Sequence, residues 1–466
     1  MRPFSEPTRI MKQTISIRAG ELKSALTGLA KIIDPRSPNE VCRSVMVESN
    51  NGVSLLGTDT TTFVRVSIEG EPSHNARRYL VPFAKLRDFT RRLPTHAIVH
   101  IGENLLQSEQ GTARSEERFD KIDPAQFPEE PEIKAMPQEL PALFSVLFRE
   151  ALGCASKESH RPTLQGVYLD VDSEHHLVAT DGRHLYQSKA LTLPITESLI
   201  VPSLSIFSWS GLGDEWKIAV ERKNEVQRFS VHSGNWRITS QAVEGTYPNW
   251  KAVIPETSAT LLTLPPEHGF KEVFGFFSKE TNRDNSALVL VENGDVNLIA
   301  GDGSFLAALP GVLTTGPDIT ITLNRDYLIK AFDYGFLTIG LNDPASAILF
   351  RNERALMVVM PMRTEPGDKK QLPPQTQPTN TNMTAIQPQG DNEPHTNGNP
   401  VSTATKPALE AAIDNLDSFR ANLREALSGI SAITSLLRQA IRDQRLNERE
   451  IQSVRQTLRS LQGVRI

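Results

Sequence analysis

Cysteine is nearly absent from this 466-residue chain, with Cys42 and Cys154 the only two. Two cysteines cannot build a disulfide framework, and their spacing is wrong for a zinc site. This usage points to a reducing, cytoplasmic home. Aromatic residues are scarce, at 6%. Neither sign of charge dominates: the formal net charge is −5, so nothing global advertises a nucleic-acid binder. A basic lining can still lie inside an acidic total. No apolar run approaches the roughly 20 residues of a membrane helix. The opening MRPFSEPTRI lacks a signal peptide's apolar core, and residues 1–10 read as a short extension ahead of Met11.

Catalytic signatures are missing too. There is no P-loop spacing, no dinucleotide glycine fingerprint, no HExxH and no Cys–His cluster. No cofactor and no metal is implied. Asp170 and Asp172 in LDVDSE sit on an alternating strand without a third carboxylate, and read as an exposed face rather than as metal ligands. His175 and His176 are adjacent, so a strand sends them to opposite faces.

What the chain does have is repetition. LLGTDTTTFV, LVATDGRHLY and LIAGDGSFLA place Asp59, Asp181 and Asp302 at intervals of 122 and 121 residues. A carboxylate catalyst is one reading of these aspartates, but turn chemistry is simpler. Asp hydrogen-bonds its own backbone two residues on, and Gly permits positive φ. The repetition extends downstream to YLVPFAKLRDFTRRL, LIVPSLSIFSWSGLG and ITLNRDYLIKAFDYG, each a strand followed by a helix-like segment. Upstream, each unit opens with an amphipathic helix: AGELKSALTGLAKII, LPALFSVLFREALG and PEHGFKEVFGFFSKE. A period near 120 is the size of a domain and too long for a solenoid repeat. Three copies of one α+β domain are expected, over 11–134, 135–255 and 256–366.

Beyond them the composition changes. Residues 367–406 are rich in Pro, Gln, Asn and Thr, with too few apolar residues to bury, and read as a disordered linker. Residues 407–466 carry an apolar stripe at helical spacing, from Leu409 and Ile413 through Leu437 and Ile441, resumed at Ile451. A lone amphipathic helix must cover such a stripe. Coiled-coil-like self-association is expected for this tail, with a helical hairpin as the alternative.

MKQTISIRAGELKSAL, LLGTDTT, LQGVYLDV followed by LVATDGRHL, EGTYPNWKAVIP, LNRDYL and VVMPMRT occur in this order over about residues 11–364. Together with the threefold repeat, they resemble the bacterial sliding clamp, the β subunit of DNA polymerase III. The resemblance implies three DNA-clamp domains forming half of a ring, closed by a head-to-tail homodimer around duplex DNA. It implies a processivity factor without a catalytic site, an accessory subunit of a DNA-directed DNA polymerase. It also implies a pocket between the second and third domains that takes short peptides from the replicative polymerase, the clamp loader and other clamp-motif proteins. No membrane partner is expected.

Carried over by matching motif, Arg36, Lys157, His160 and Arg161 would touch DNA. The pocket would be lined by Leu164, Thr180, Gly182, Arg183, His184, Leu185, Pro248, Val253, Asn324, Tyr327, Val358, Val359, Met360, Pro361, Met362 and Arg363. Basic residues crowd several helix-like segments, among them Lys23, Lys85, Arg87, Arg91, Arg92, Arg149, Lys271, Arg325 and Lys330, but the fourth segment has none. The order Arg183–His184 reverses the family's usual one, Ala252 stands where a basic residue is common, and Asp284 falls where an aromatic is frequent. The other reading, of a different class, is a clamp paralogue acting as a scaffold through its helical tail.

Overall fold

The computed structural model describes residues 14–50, 52–68, 76–266, 285–300 and 306–362. The chain divides into two units, Met1–Thr376 and Gln377–Ile466, and every described residue belongs to the first. The expected extension 1–10, the fifth helix-like segment, Asp302, Asp284, Arg363, the linker and the helical tail lie outside the described residues.

The first repeat runs β1 (Ile15–Arg18), α1 (Ala19–Leu29), β2 (Ser44–Ser49), β3 (Val53–Thr58), β4 (Thr62–Ile68), β5 (Arg77–Pro82), α2 (Phe83–Arg91), β6 (Ile98–Ile101), β7 (Leu105–Gln110) and β8 (Ala113–Arg118). The second follows the same order: β9 (Gln138–Glu139), α3 (Phe144–Leu152), β10 (Gly166–Asp170), β11 (His176–Thr180), β12 (His184–Ser188), β13 (Leu199–Pro202), β14 (Lys217–Lys223), β15 (Val226–Ser233) and β16 (Trp236–Gln241). The third has β17 (Thr260–Thr263), β18 (Ser286–Glu292), β19 (Asp295–Ala300), β20 (Leu306–Ala308), β21 (Leu313–Thr315), β22 (Ile319–Asn324), α4 (Arg325–Asp333), β23 (Thr338–Leu341), β24 (Ile348–Arg351) and β25 (Ala355–Val359).

The helices form where apolar residues recur every three or four positions. On α1, Leu22, Ala25, Leu26 and Leu29 make one buried face. The fourth expected helix does not form. Residues 205–212 make two short 3₁₀ turns, Ser205–Ser208 and Ser210–Leu212, separated by an extended Trp209. Four serines and two glycines between Ser203 and Gly213 explain this: serine side chains compete for the backbone, and glycine disfavours a helix.

The strands form four sheets, and two of these run across repeat boundaries. In the eight-stranded sheet, β4 of the first repeat pairs antiparallel with β16 of the second, Val64 opposite Ile238. In the nine-stranded sheet, β12 of the second pairs antiparallel with β25 of the third, Tyr186 opposite Met357. The third hairpin strand of one repeat thus meets the last strand of the next. The two four-stranded sheets, β1-β6-β7-β8 and β20-β19-β18-β22, leave β8 and β20 each with one neighbour among the described residues.

Glycine permits close approach at both boundaries. A Cβ on Gly28, near the end of α1, would fall 2.3 Å from the Trp236 ring and 2.7 Å from the Trp209 ring. Gly153, just after α3, stands under the Tyr334 hydroxyl of the third repeat in the same way. A buried carboxylate adds to the first boundary. Glu130 accepts from Arg65 at 2.9 Å, from Arg237 at 2.8 Å and from Thr239 Oγ1 at 3.0 Å, which ties β4 to β16. Burial pushes the Glu130 carboxyl up, but the two arginines outweigh it and hold it below the usual carboxylate range.

Asp170 is not on an exposed face, as its sequence pattern suggested. It is 3% exposed, because β10 lies inside the nine-stranded sheet with Trp250 folded over its end. Its Oδ2 accepts from Trp250 Nε1 at 3.1 Å, and its Oδ1 accepts from the backbone of Asp172. A buried carboxylate satisfied in this way is structural.

Candidate functional site

The β11–β12 turn behaves as its sequence predicts. Asp181 Oδ1 accepts from the backbone N–H groups of Arg183 at 2.8 Å and His184 at 2.9 Å, and Gly182 takes φ +87°. In the first repeat Asp59 makes the same bonds to Thr61 and Thr62, while Thr60 is held at φ 85° without glycine's freedom.

Beside this turn lies a cavity of about 380 Å³, floored by Leu164, Leu185, Trp250 and Val358 and walled by Thr180, Gly182, His184, Pro248 and Asn249. Val253 and Met360 stand at its rim, 47% and 45% exposed. Arg161 and Arg183 complete the lining. β25 supplies Val358 and then passes along the wall, where the Met360 N–H donates to Arg183 O at 2.9 Å. The Trp250 bond to Asp170 holds the indole edge in place at the floor.

Under the wall, a polar chain joins the second and third repeats. The Tyr327 hydroxyl donates to Asp181 Oδ2 at 2.8 Å. His184 Nδ1 lies 2.8 Å from Asp181 Oδ1, and its Nε2 accepts from Lys330 Nζ at 2.8 Å. Lys330 also donates to Gly153 O at 2.6 Å. The Tyr327 and His184 rings stack 4.1 Å apart. An ammonium on Nε2 requires a neutral imidazole carrying its proton on Nδ1. The pKa shifts agree. Burial lowers His184, the Asp181 contact opposes this, and Lys330 reinforces it. Burial raises Asp181, but bonds from His184 and the turn backbone outweigh burial and hold the carboxyl well below its usual range. A second buried contact lies deeper. Tyr186 donates to Glu150 Oε2 at 2.7 Å, and Glu150 Oε1 meets Arg354 at 3.3 Å.

Of the residues expected at the pocket, Leu164, Thr180, Gly182, Arg183, His184, Leu185, Pro248, Val253, Val358 and Met360 line the cavity together. Tyr327 lies behind His184, and Asn324 caps α4 by accepting from the Asp326 N–H. Val359 is buried, and Pro361 and Met362 are half-buried. Arg161, expected on DNA, stands at the cavity wall with its guanidinium over Gly182. Arg36, Lys157 and His160 are exposed on loops, Arg36 with its side chain 95% exposed. Trp250 and Asn249 were not expected. Their position inside YPNW, between the anticipated Pro248 and Val253, was the available signal. Among the described residues no group of three or more His, Cys, Asp or Glu is placed to hold a metal ion.

No family model matches the sequence. The chain is 25% identical over 309 residues to the beta sliding clamp of Micrococcus luteus, covering 63% of this chain and 96% of that one. It is 25% identical over 356 residues to the beta sliding clamp of Synechococcus elongatus, covering 71% and 93%. Its structure matches the sliding clamp of Bartonella birtlesii, solved bound to griselimycin, with a TM-score of 0.66, 21% identity and coverage of 76% and 100%. The chain has the sliding-clamp fold. The chain carries additional sequence that the solved clamp does not match. Among the described residues no helix is long and apolar enough to cross a membrane.

Proposed function

We propose that two copies of this chain close head to tail into a ring around duplex DNA. The ring slides freely, and its pocket tethers the replicative polymerase and other peptide-bearing partners. The observation that carries this reading is the repeated sheet junction. β4 joins β16, and β12 joins β25, both antiparallel. The equivalent strands left over are β20 and β8. A third junction of the same kind, β20 of one copy against β8 of the next, uses these two edges. Heterologous contacts of this kind close when the rotation per unit fits. The exposed Leu306, on β20, is then covered.

DNA needs only unpatterned positive charge along the helices. Lys85, Arg91 and Arg92 on and after α2 are half or more exposed, and each is paired with an acid at 3.0 to 4.0 Å. Such exposed pairs are weak and exchange readily for phosphate. Arg149 is less available, because it bonds Gly213 O and Asp214 and lies over Trp216. The apolar floor and exposed Val253 and Met360 suit an aliphatic or aromatic peptide anchor, and methionine adapts to several partners.

Two experiments test this. A panel of cysteine pairs across β8 and β20, starting with Ser115→Cys and Ala307→Cys, should trap a covalent dimer in full-length chain. A dimer that no pair traps would place the contact elsewhere. Val253→Asp should weaken polymerase binding at least tenfold without changing the dimer; unchanged binding would move the partner site away from this cavity.

A further inference from the structure

We propose that the pocket has an occupant in its own chain: the segment beginning at Glu365 and anchored by Leu372 competes with partner peptides. The inference rests on the pocket reading above and adds a regulator to it. The wall strand β25 ends at Val359, six residues before Glu365 in the sequence. The chain is pinned at the pocket through Met360 N–H to Arg183 O and, two residues on, through Met362 N–H to Thr322 O at 2.8 Å. More than a hundred residues follow Met362. The next aliphatic side chain is Leu372, and the one after it is Met383. Ten residues span up to about 33 Å, while a flexible chain of that length averages about 17 Å end to end. Leu372 is therefore tethered within easy reach of a cavity whose rim residue Met360 precedes the tether point by two positions.

The local chemistry agrees with this occupant. Pro373 and Pro374 follow the leucine. A residue before proline is driven to extended backbone, and consecutive prolines hold the polyproline conformation. By these propensities the Leu372–Pro373–Pro374 sequence would cost little ordering entropy on binding in an extended form. The cavity offers Leu164, Leu185, Val253, Val358 and Met360 to an aliphatic anchor. A tethered ligand acts at millimolar effective concentration, so a segment with a dissociation constant near 0.1 mM weakens a competitor about tenfold.

Disulfide trapping in full-length chain tests the proposal. Cys42 and Cys154 are buried and do not interfere. Under mild oxidation, Val253→Cys with Leu372→Cys should close an intramolecular bridge at least tenfold faster than Val253→Cys with Met383→Cys. Chain length alone favours position 372 only about threefold. A ratio of threefold or less, or a bridge that forms only between chains, overturns the proposal. The pocket reading fails differently. Suppose Val253→Asp abolishes polymerase binding but Leu372→Asp leaves it unchanged; the pocket then stands and its internal competitor falls. A selective bridge together with polymerase binding that ignores Val253→Asp supports the internal contact and removes the partner site.

Discussion

Gly28 and Gly153 predict the effect of a substitution at a third position. They lie 125 residues apart, and a further 122 residues on stands Gly275, outside the described residues, in the opening helix-like segment of the third repeat. The first two glycines seat one repeat against the next: a Cβ would reach 2.3 Å from Trp236 at the first and 2.2 Å from the Tyr334 hydroxyl at the second. In the proposed ring, the repetition leads us to expect Gly275 at the contact between the third repeat and the first repeat of another copy. Overpacking costs about 1–3 kcal/mol per site, and a leucine belongs at the upper end. A head-to-tail ring has two equivalent contacts, so Gly275→Leu should cost the dimer about 6 kcal/mol, or roughly four powers of ten in dissociation constant. Sedimentation velocity from nanomolar to micromolar chain should show a folded monomer. Gly28→Leu and Gly153→Leu should instead lower the denaturant stability of each chain by about 3 kcal/mol. A Gly275→Leu chain that still forms the wild-type dimer at nanomolar concentration would refute the reasoning.

Other predictions follow from the charged contacts. Glu130→Ala leaves Arg65 and Arg237 without their shared partner and should destabilise the chain by about 3 kcal/mol in urea unfolding; a loss below about 0.5 kcal/mol would show that the pair is dispensable. His184 has its pKa lowered from 6.5 by burial, so its neutral form belongs to the folded state. Its contribution is complete above pH 6.5 and is lost as pH falls through that value toward the lower folded pKa. Between about pH 8 and pH 5.5, stability should fall less in His184→Gln than in the wild-type chain; equal slopes would remove His184 from the pH response.

The repeat was legible because turn chemistry is local. Asp59 and Asp181 bind the backbone two and three residues ahead, so the same dipeptide marks the same turn wherever it recurs. Most of the pocket could be read from motifs because its walls come from a few short stretches, 180–185, 248–253 and 358–360. The failures are long-range. Alternation placed Asp170 on an open face, but a Trp eighty residues away covers it. Arg161 was expected on DNA from the family resemblance, and its place over Gly182 at the cavity wall was not legible in that motif. The fourth helix was inferred from its place in the repeat, and its serines and glycines overruled that place. Glu130 drew no notice, since the two arginines that explain it come from strands far apart in sequence.

Topological retention on DNA tests the central claim most directly. Full-length chain is loaded onto nicked circular DNA with its cognate loader, washed in high salt to remove simple phosphate contacts, and the circle is then cut. A ring stays on the circle through the wash and leaves on linearisation. Loss during the wash, in a preparation where a known sliding clamp remains, would contradict the account.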